Sequence, residues 1–275
     1  MKPLIFFIFS AFFAASTYAE NSQPNGMVFI EKGPFLMGSK KSMLELKPHD
    51  LFNTDRHTLG PENPAHEVYL ESFYIDVYEV TNEAYAKFFK ATGAKEPKGW
   101  KNPDFKNPQQ PVVGVSWKEA LKFCQWQNKR LPTEAEWEKA ARGKRPIKYP
   151  WGNTSPDSSK LNYNKEIKKT TPVGSYESGK SDYGLYDLSG NASEWVNDWH
   201  FPEYYLFSPK ENPLGPEKGQ YKVIRGGSWR NTADDVDLVY RNATTPKNRS
   251  LAIGFRCAVK PNGYNRSASE KSNVS

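Results

Sequence analysis

Apolar and polar positions alternate with a period of two in two early runs, MVFIEKGPFLMGS (residues 27–39) and HEVYLESFYIDVYEVT (residues 66–81). Alternation rich in aromatic and β-branched residues marks half-buried strands. The first run turns at Gly33-Pro34, which predicts a hairpin, and the second predicts another strand pair. The period then lengthens. Thr81 stands as an N-cap before NEAYAKFFKATG, whose apolar face is Tyr85, Phe88 and Phe89 and whose stop is Gly93. Ser116 with Glu119, and Thr133 with Glu136, both have capping-box spacing. They predict two more short helices, one running to about Asn128 and one stopping at Gly143. Beyond these, YPWGN, TPVGSY, YGLYDLSGNASEWVNDW, VIRGGSWR and IGFRCAV are short strand-or-turn pieces between irregular stretches. The pattern is α+β with much coil, without internal repeat or heptad.

Composition narrows this to one sizeable core. The chain has 275 residues, with 8 Trp, 15 Tyr and 16 Phe, enough for one domain over residues 27–260. Residues 1–19 carry Lys2, an apolar run from Leu4 to Ala15 and small residues up to Ala19, the layout of a cleaved secretory leader. That run is too short to span a bilayer, which takes about 20 apolar residues, and no later stretch approaches it. The expected product is exported, into a periplasm first and otherwise a secreted or lumenal space, with no transmembrane segment. Residues 20–26 read as a linker and 261–275 as a polar, disordered tail. A net charge of +7 from scattered lysines, without a run of like charge, argues against a nucleic-acid partner. Cys124 and Cys257 are the only cysteines. In an oxidising compartment they read first as a disulfide, with two buried thiols as the other reading.

Candidate chemistry concentrates in two places. Asp187 and Glu194 bracket a Gly-Asn turn able to wrap a calcium ion, which takes roughly six to eight oxygen ligands. The plainer reading makes Asp187 an Asx-turn residue with Tyr183, Tyr186, Trp195 and Trp199 as core. The second place, RGGSWRNTADDVD, offers Asn231, Asp234, Asp235 and Asp237. An insertion between residues 40 and 64 also holds His49, Asp50, Asp55, His57 and Glu62, which read as a polar surface loop before a metal cluster.

Taken together and in order, the strand runs, PVVGVSWKEALKFCQWQNKRLPTEAEWEKAARG, YPWGN, PVGSY, YGLYDLSGNASEW, IRGGSWR and IGFRCA closely resemble the formylglycine-generating-enzyme, or sulfatase-modifying-factor, family. The resemblance implies a coil-rich variant of the C-type-lectin fold. It implies a structural calcium site, with Asp187 and Glu194 as side-chain ligands and Gly190 and Ala192 lending carbonyls. A second calcium site would begin at Asn162 and Tyr163, but Lys165, Lys168 and Lys169 stand where an Asp is expected. The resemblance also pairs Cys124 with Cys257. The family's copper-binding cysteine pair, placed shortly after the GGSW-type motif, has no counterpart here, which argues against copper as a cofactor.

The implied activity is therefore maturation of a peptide or peptide-derived metabolite by another route; exported relatives that help mature siderophore chromophores give a precedent. Trp229 and Arg230 would position the substrate, with Asp234 or Asp235 as general base. The alternative is a peptide- or glycan-binding module whose groove is formed by Ser228, Trp229 and Arg241, or a structural partner in an envelope complex. In the bland reading, Arg225, Arg230, Arg241 and Arg256 hold the coil together through carboxylates and carbonyls. Sulfoxide synthases that share the domain need a helical domain and a His-rich iron motif not found in this sequence. The sequence does not fix the oligomeric state.

Overall fold

The computed structural model describes residues 23–39 and 62–261. The leader, His49, Asp50, Asp55, His57 and all of the tail but Pro261 lie outside the described residues. Four strands open the fold: β1 (Met27–Ile30), β2 (Gly33–Met37), β3 (His66–Leu70) and β4 (Phe73–Asp76). Neither early run folds back on itself as expected. Instead β1 pairs antiparallel with β4 and β2 with β3, in one register from Met27↔Asp76 to Met37↔His66. The polar dipeptides Glu31-Lys32 and Glu71-Ser72 face each other at the break. Alternation decides which face of a strand is buried but not which strand it meets. Pairing the two runs puts Ile30, Phe35, Met37, Val68, Leu70, Phe73 and Ile75 into a single cluster.

Three helices follow, and their starts obey local hydrogen-bond logic. Thr81 caps α1 (Asn82–Thr92), accepting from the Ala84 amide at 3.2 Å, and Gly93 closes it in the left-handed region. Ser116 and Glu119 form the reciprocal box of α2 (Trp117–Trp126), which ends two residues before Asn128. Thr133 and Glu136 do the same for α3 (Glu134–Arg142). Tyr85 and Phe88 from α1, Phe123 from α2, and Phe255 make an aromatic cluster with centroids 5.2 to 6.4 Å apart.

A four-stranded sheet in the order β7-β6-β5-β8 carries the later motifs. Its members are β5 (Ser193–Trp199), β6 (Lys222–Arg225), β7 (Asn242–Thr244) and β8 (Ile253–Gly254). A last strand, β9 (Ala258–Val259), joins β4 at the edge of the first sheet. Cys257, between β8 and β9, is bonded to Cys124 of α2. The molecule is α+β with short elements. Among the described residues, no helix is long and apolar enough to cross a membrane.

Candidate functional site

The stretch leading into β5 is a tightly folded loop. Asp187, Gly190 and Asn191 all have positive φ, and Leu185 and Leu188 are buried beneath them. Asp187 Oδ2 accepts from the Gly174 amide at 2.7 Å. Glu194 lies under 1 % exposed, bound at both oxygens by Arg256 (2.7 and 2.6 Å) and at Oε2 by the Trp137 indole (2.9 Å). Arg256 also donates to the carbonyls of Asp76, Val77 and Tyr186. Glu79, which pattern reading had absorbed into a strand run, completes the group and accepts from the Ala192 amide and the Asn191 side chain. Its only mark in the sequence is a carboxylate inside the apolar run DVYEVT.

Three buried carboxylates thus face one guanidinium. Burial, then the charges of Asp187 and Glu194, pushes the Glu79 carboxyl well above its usual range; burial likewise raises Asp187. Among the described residues no three His, Cys, Asp or Glu side chains are arranged to hold a metal by themselves. Yet an ionised carboxylate has about four lone-pair positions, and Arg256 and Trp137 use three at Glu194. The donors here are all oxygens, the type a hard divalent cation takes, while Glu194 is already paired with Arg256.

Downstream, β6 runs into Gly226-Gly227. A Cβ on Gly227 would lie 2.5 Å from the Asp235 carbonyl and one on Gly226 2.9 Å from that of Leu188, so glycine lets these segments touch. Ser228 is buried, its hydroxyl and amide both donating to Asn231 Oδ1. Trp229 is 7 % exposed, packs on Phe105 and donates its indole N–H to Leu251 O. Arg230 is exposed, its guanidinium 4.5 Å from the Trp229 ring centre. Asp234 and Asp235 sit on a one-turn 3-10 helix at the surface, with Asn231 Nδ2 3.5 Å from Asp235 Oδ2. Asp237 is buried and caps the amides of Val239 and Tyr240.

Arg241, expected in a recognition groove, lies instead in the core, 3 % exposed. It grips Glu134 of α3 through two bonds (2.7 and 2.9 Å) and lies over Tyr205. Arg225 bridges Glu134 (3.0 Å) and Glu138 (2.6 Å), and Arg142 also pairs with Glu138 (2.7 Å). Burial alone would raise the Glu134 carboxyl, but Arg241 and Arg225 outweigh it and hold it below its usual range. The reason is that α3 is buried along its whole length, so its acids need guanidinium partners. Of the groups expected around GGSW, the structure therefore brings Arg230, Asp234 and Asp235 to the surface, with Trp229 as floor, and sets Ser228 and Arg241 inside. Both cysteines of the chain are in the disulfide, so neither sulfur is offered as a thiolate.

A family model described as "Sulfatase-modifying factor enzyme 1-like domain" matches residues 13–261. The chain belongs to that family. Among relatives, a chain named serine/threonine-protein kinase pkn1 from Chlamydia caviae is 35% identical over 254 residues, 84% of this chain but 37% of its own length. This family member thus spans well under half of that protein. The formylglycine-generating enzyme of Streptomyces coelicolor is 31% identical over 304 residues, covering 89% of this chain and 92% of its own. Among solved structures, PvdO from Pseudomonas aeruginosa superposes with a TM-score of 0.68 at 27% identity, over 85% of this chain and 94% of that one. The sulfatase-modifying-factor fold is thereby shown by sequence and by shape.

Proposed function

We propose that the protein is an exported maturation factor that modifies a peptide or peptide-derived metabolite at the surface carrying Trp229, Arg230, Asp234 and Asp235. The observation that carries this is the combination of a family framework with a disulfide that takes up the chain's only two cysteines. A named formylglycine-generating enzyme covers nearly the whole chain, which supports a modifying role, while the chemistry must run without a protein thiolate pair. On this reading Arg230 orients the substrate, and Asp234 or Asp235 removes a proton from it. Purified full chain, incubated with pools of periplasmic peptides and small metabolites, should produce a mass change in one component. Asp234→Ala with Asp235→Ala should abolish it and leave the melting temperature in place, since both lie outside the core. Turnover unaffected by the double change would sink the assignment.

The binding-module reading is favoured by one feature: Asp237 and Arg241 are committed to structure, leaving few groups for chemistry. In that case ligand affinity survives loss of both aspartates and falls with Arg230→Gln. Arg230 is the better probe, because truncating buried Trp229 would unsettle the core by about 3–5 kcal/mol.

Export is supported by the leader-like residues 1–19 and by the covalent pairing of the two cysteines. Structural calcium is supported by the surplus of buried carboxylates. It would neutralise Glu79, Asp187 and Glu194 and stiffen the loop. Chelation should lower the melting temperature of the wild-type chain. Because Glu194→Ala also breaks the Arg256 pair, the informative reading is the chelator-sensitive part of the melt. That part should vanish in Asp187→Asn; an equal chelator effect in both proteins would count against the site.

A further inference from the structure

We propose that Lys165, Lys168 and Arg230 form a docking rim for the carboxylate groups of an acidic peptide segment. The inference rests on the reading of the Trp229 surface as the place where a peptide substrate works, and it names the chemistry of that substrate. The loop of residues 162–170 is laced to the GGSW segment: the Lys165 amide donates to Trp229 O at 2.7 Å and the Asn164 amide to Asn231 O at 2.8 Å. Its two ends are fixed by Asn162 and Thr170, 2 % and 1 % exposed, and the Asn162 side chain donates to Lys169 O. Between these anchors Asn164, Lys165 and Lys168 hold left-handed backbone (φ 56, 58 and 64) although none is glycine. Non-glycine residues stay there only when their surroundings impose it, so the two lysines are presented in a defined place.

Other surface cations in the region are spent. Lys160 pairs with Asp157 and Lys169 with Asp104, as Arg145 does with Asp182 further off. Among the described residues no ion pair engages Lys165, Lys168 or Arg230, and all three are exposed. Arg230 is ordered in advance by the indole beneath it, and Trp229 is itself held by Phe105 and Leu251. A planar guanidinium suits bidentate capture of a carboxylate, with ammonium groups alongside to hold a second. Three exposed cations on two laced segments, without a stripe of like charge, do not make a nucleic-acid footprint. Ile167, 43% exposed between the two lysines, adds an apolar contact. Glu166 on the loop and Asp234 and Asp235 beyond Asn231 carry the opposite charge on the same two segments, so the cations must hold an acidic segment against that repulsion.

The test is fluorescence anisotropy on the full chain with a labelled decapeptide alternating Glu and Leu, against its Gln/Leu counterpart, at low and physiological salt. The acidic peptide should bind about tenfold more tightly at low salt, with the margin narrowing as salt rises. Lys165→Asn, Lys168→Asn and Arg230→Gln together should erase that margin; asparagine tolerates the left-handed backbone, so the loop is kept. A charge-matched control, Lys90→Gln with Lys118→Gln and Lys122→Gln, should leave it intact. Equal binding of the two peptides, equal loss in the control, or tighter binding to phosphatidylglycerol vesicles than to the peptide would overturn the proposal. Failure here is separable from failure of the maturation reading. A substrate turned over with unchanged KM in Lys165→Asn with Lys168→Asn, which keeps Arg230, removes the rim alone, whereas rim binding without any mass change removes the modifying role alone.

Discussion

Asp198 is 2 % exposed, and its carboxylate accepts from the Glu134 amide at 2.8 Å. Burial, then the charge of Glu134, pushes its carboxyl up to about 8. The native state therefore keeps a proton that an unfolded Asp gives up near pH 4, so stability contributed by this group falls as pH climbs from about 4 to about 8. Lys222, clasped between the rings of Trp117 and Trp199, is lowered by burial to about 8, which gives the opposite slope above pH 8. Urea titrations across pH 4 to 8 should show Asp198→Asn flattening the decline; an unchanged slope would refute the assignment. None of this was legible in SEWVNDW, where Asp198 reads as one more polar strand position. The same holds for Arg241 and Glu79: their chemistry is set by partners 107 and 112 residues away, which no local pattern encodes.

At the level of elements, the capping boxes were readable because donor and acceptor lie three residues apart. The strands were readable as strands, and their partners were not, since one alternation serves a hairpin or a long ribbon equally well. α3 shows the limit most clearly. EAEWEKAAR looks like a helix with a solvated charged face, yet each of its residues is buried. Losing the cap in Thr133→Ala should cost about 1 kcal/mol. Glu134→Ala removes the carboxylate that grips Arg241 and one of the two that hold Arg225, and should cost about 3–5 kcal/mol. Chemical denaturation of the two variants ranks them, and a milder effect for Glu134→Ala would contradict the buried network. The GGSW surface was legible in part: the residue types were visible, but which would face water depended on α3 recruiting Arg241.

For the whole molecule, the bond from Cys124 to Cys257 closes a separation of 133 residues, worth on the order of 5 kcal/mol in the chain-entropy account. Cys124→Ala with Cys257→Ala should lower the urea midpoint without altering the fold, as circular dichroism would show; an unchanged midpoint would contradict this. Compartment reasoning and family resemblance both pointed to the pair, because two cysteines leave a single partner choice. The bond also lies where the last strands close the fold. β8 completes one sheet beside β5, and five residues later β9 completes another beside β4. Until residues 253–259 dock, β5 and β4 each lack one of their two strand neighbours and expose an open side, the template on which strands of other chains add. A chain in which everything else has folded but residues 253–259 have not yet docked is open to its neighbours, so refolding yield should depend on how fast that segment closes and on whatever shields those edges meanwhile.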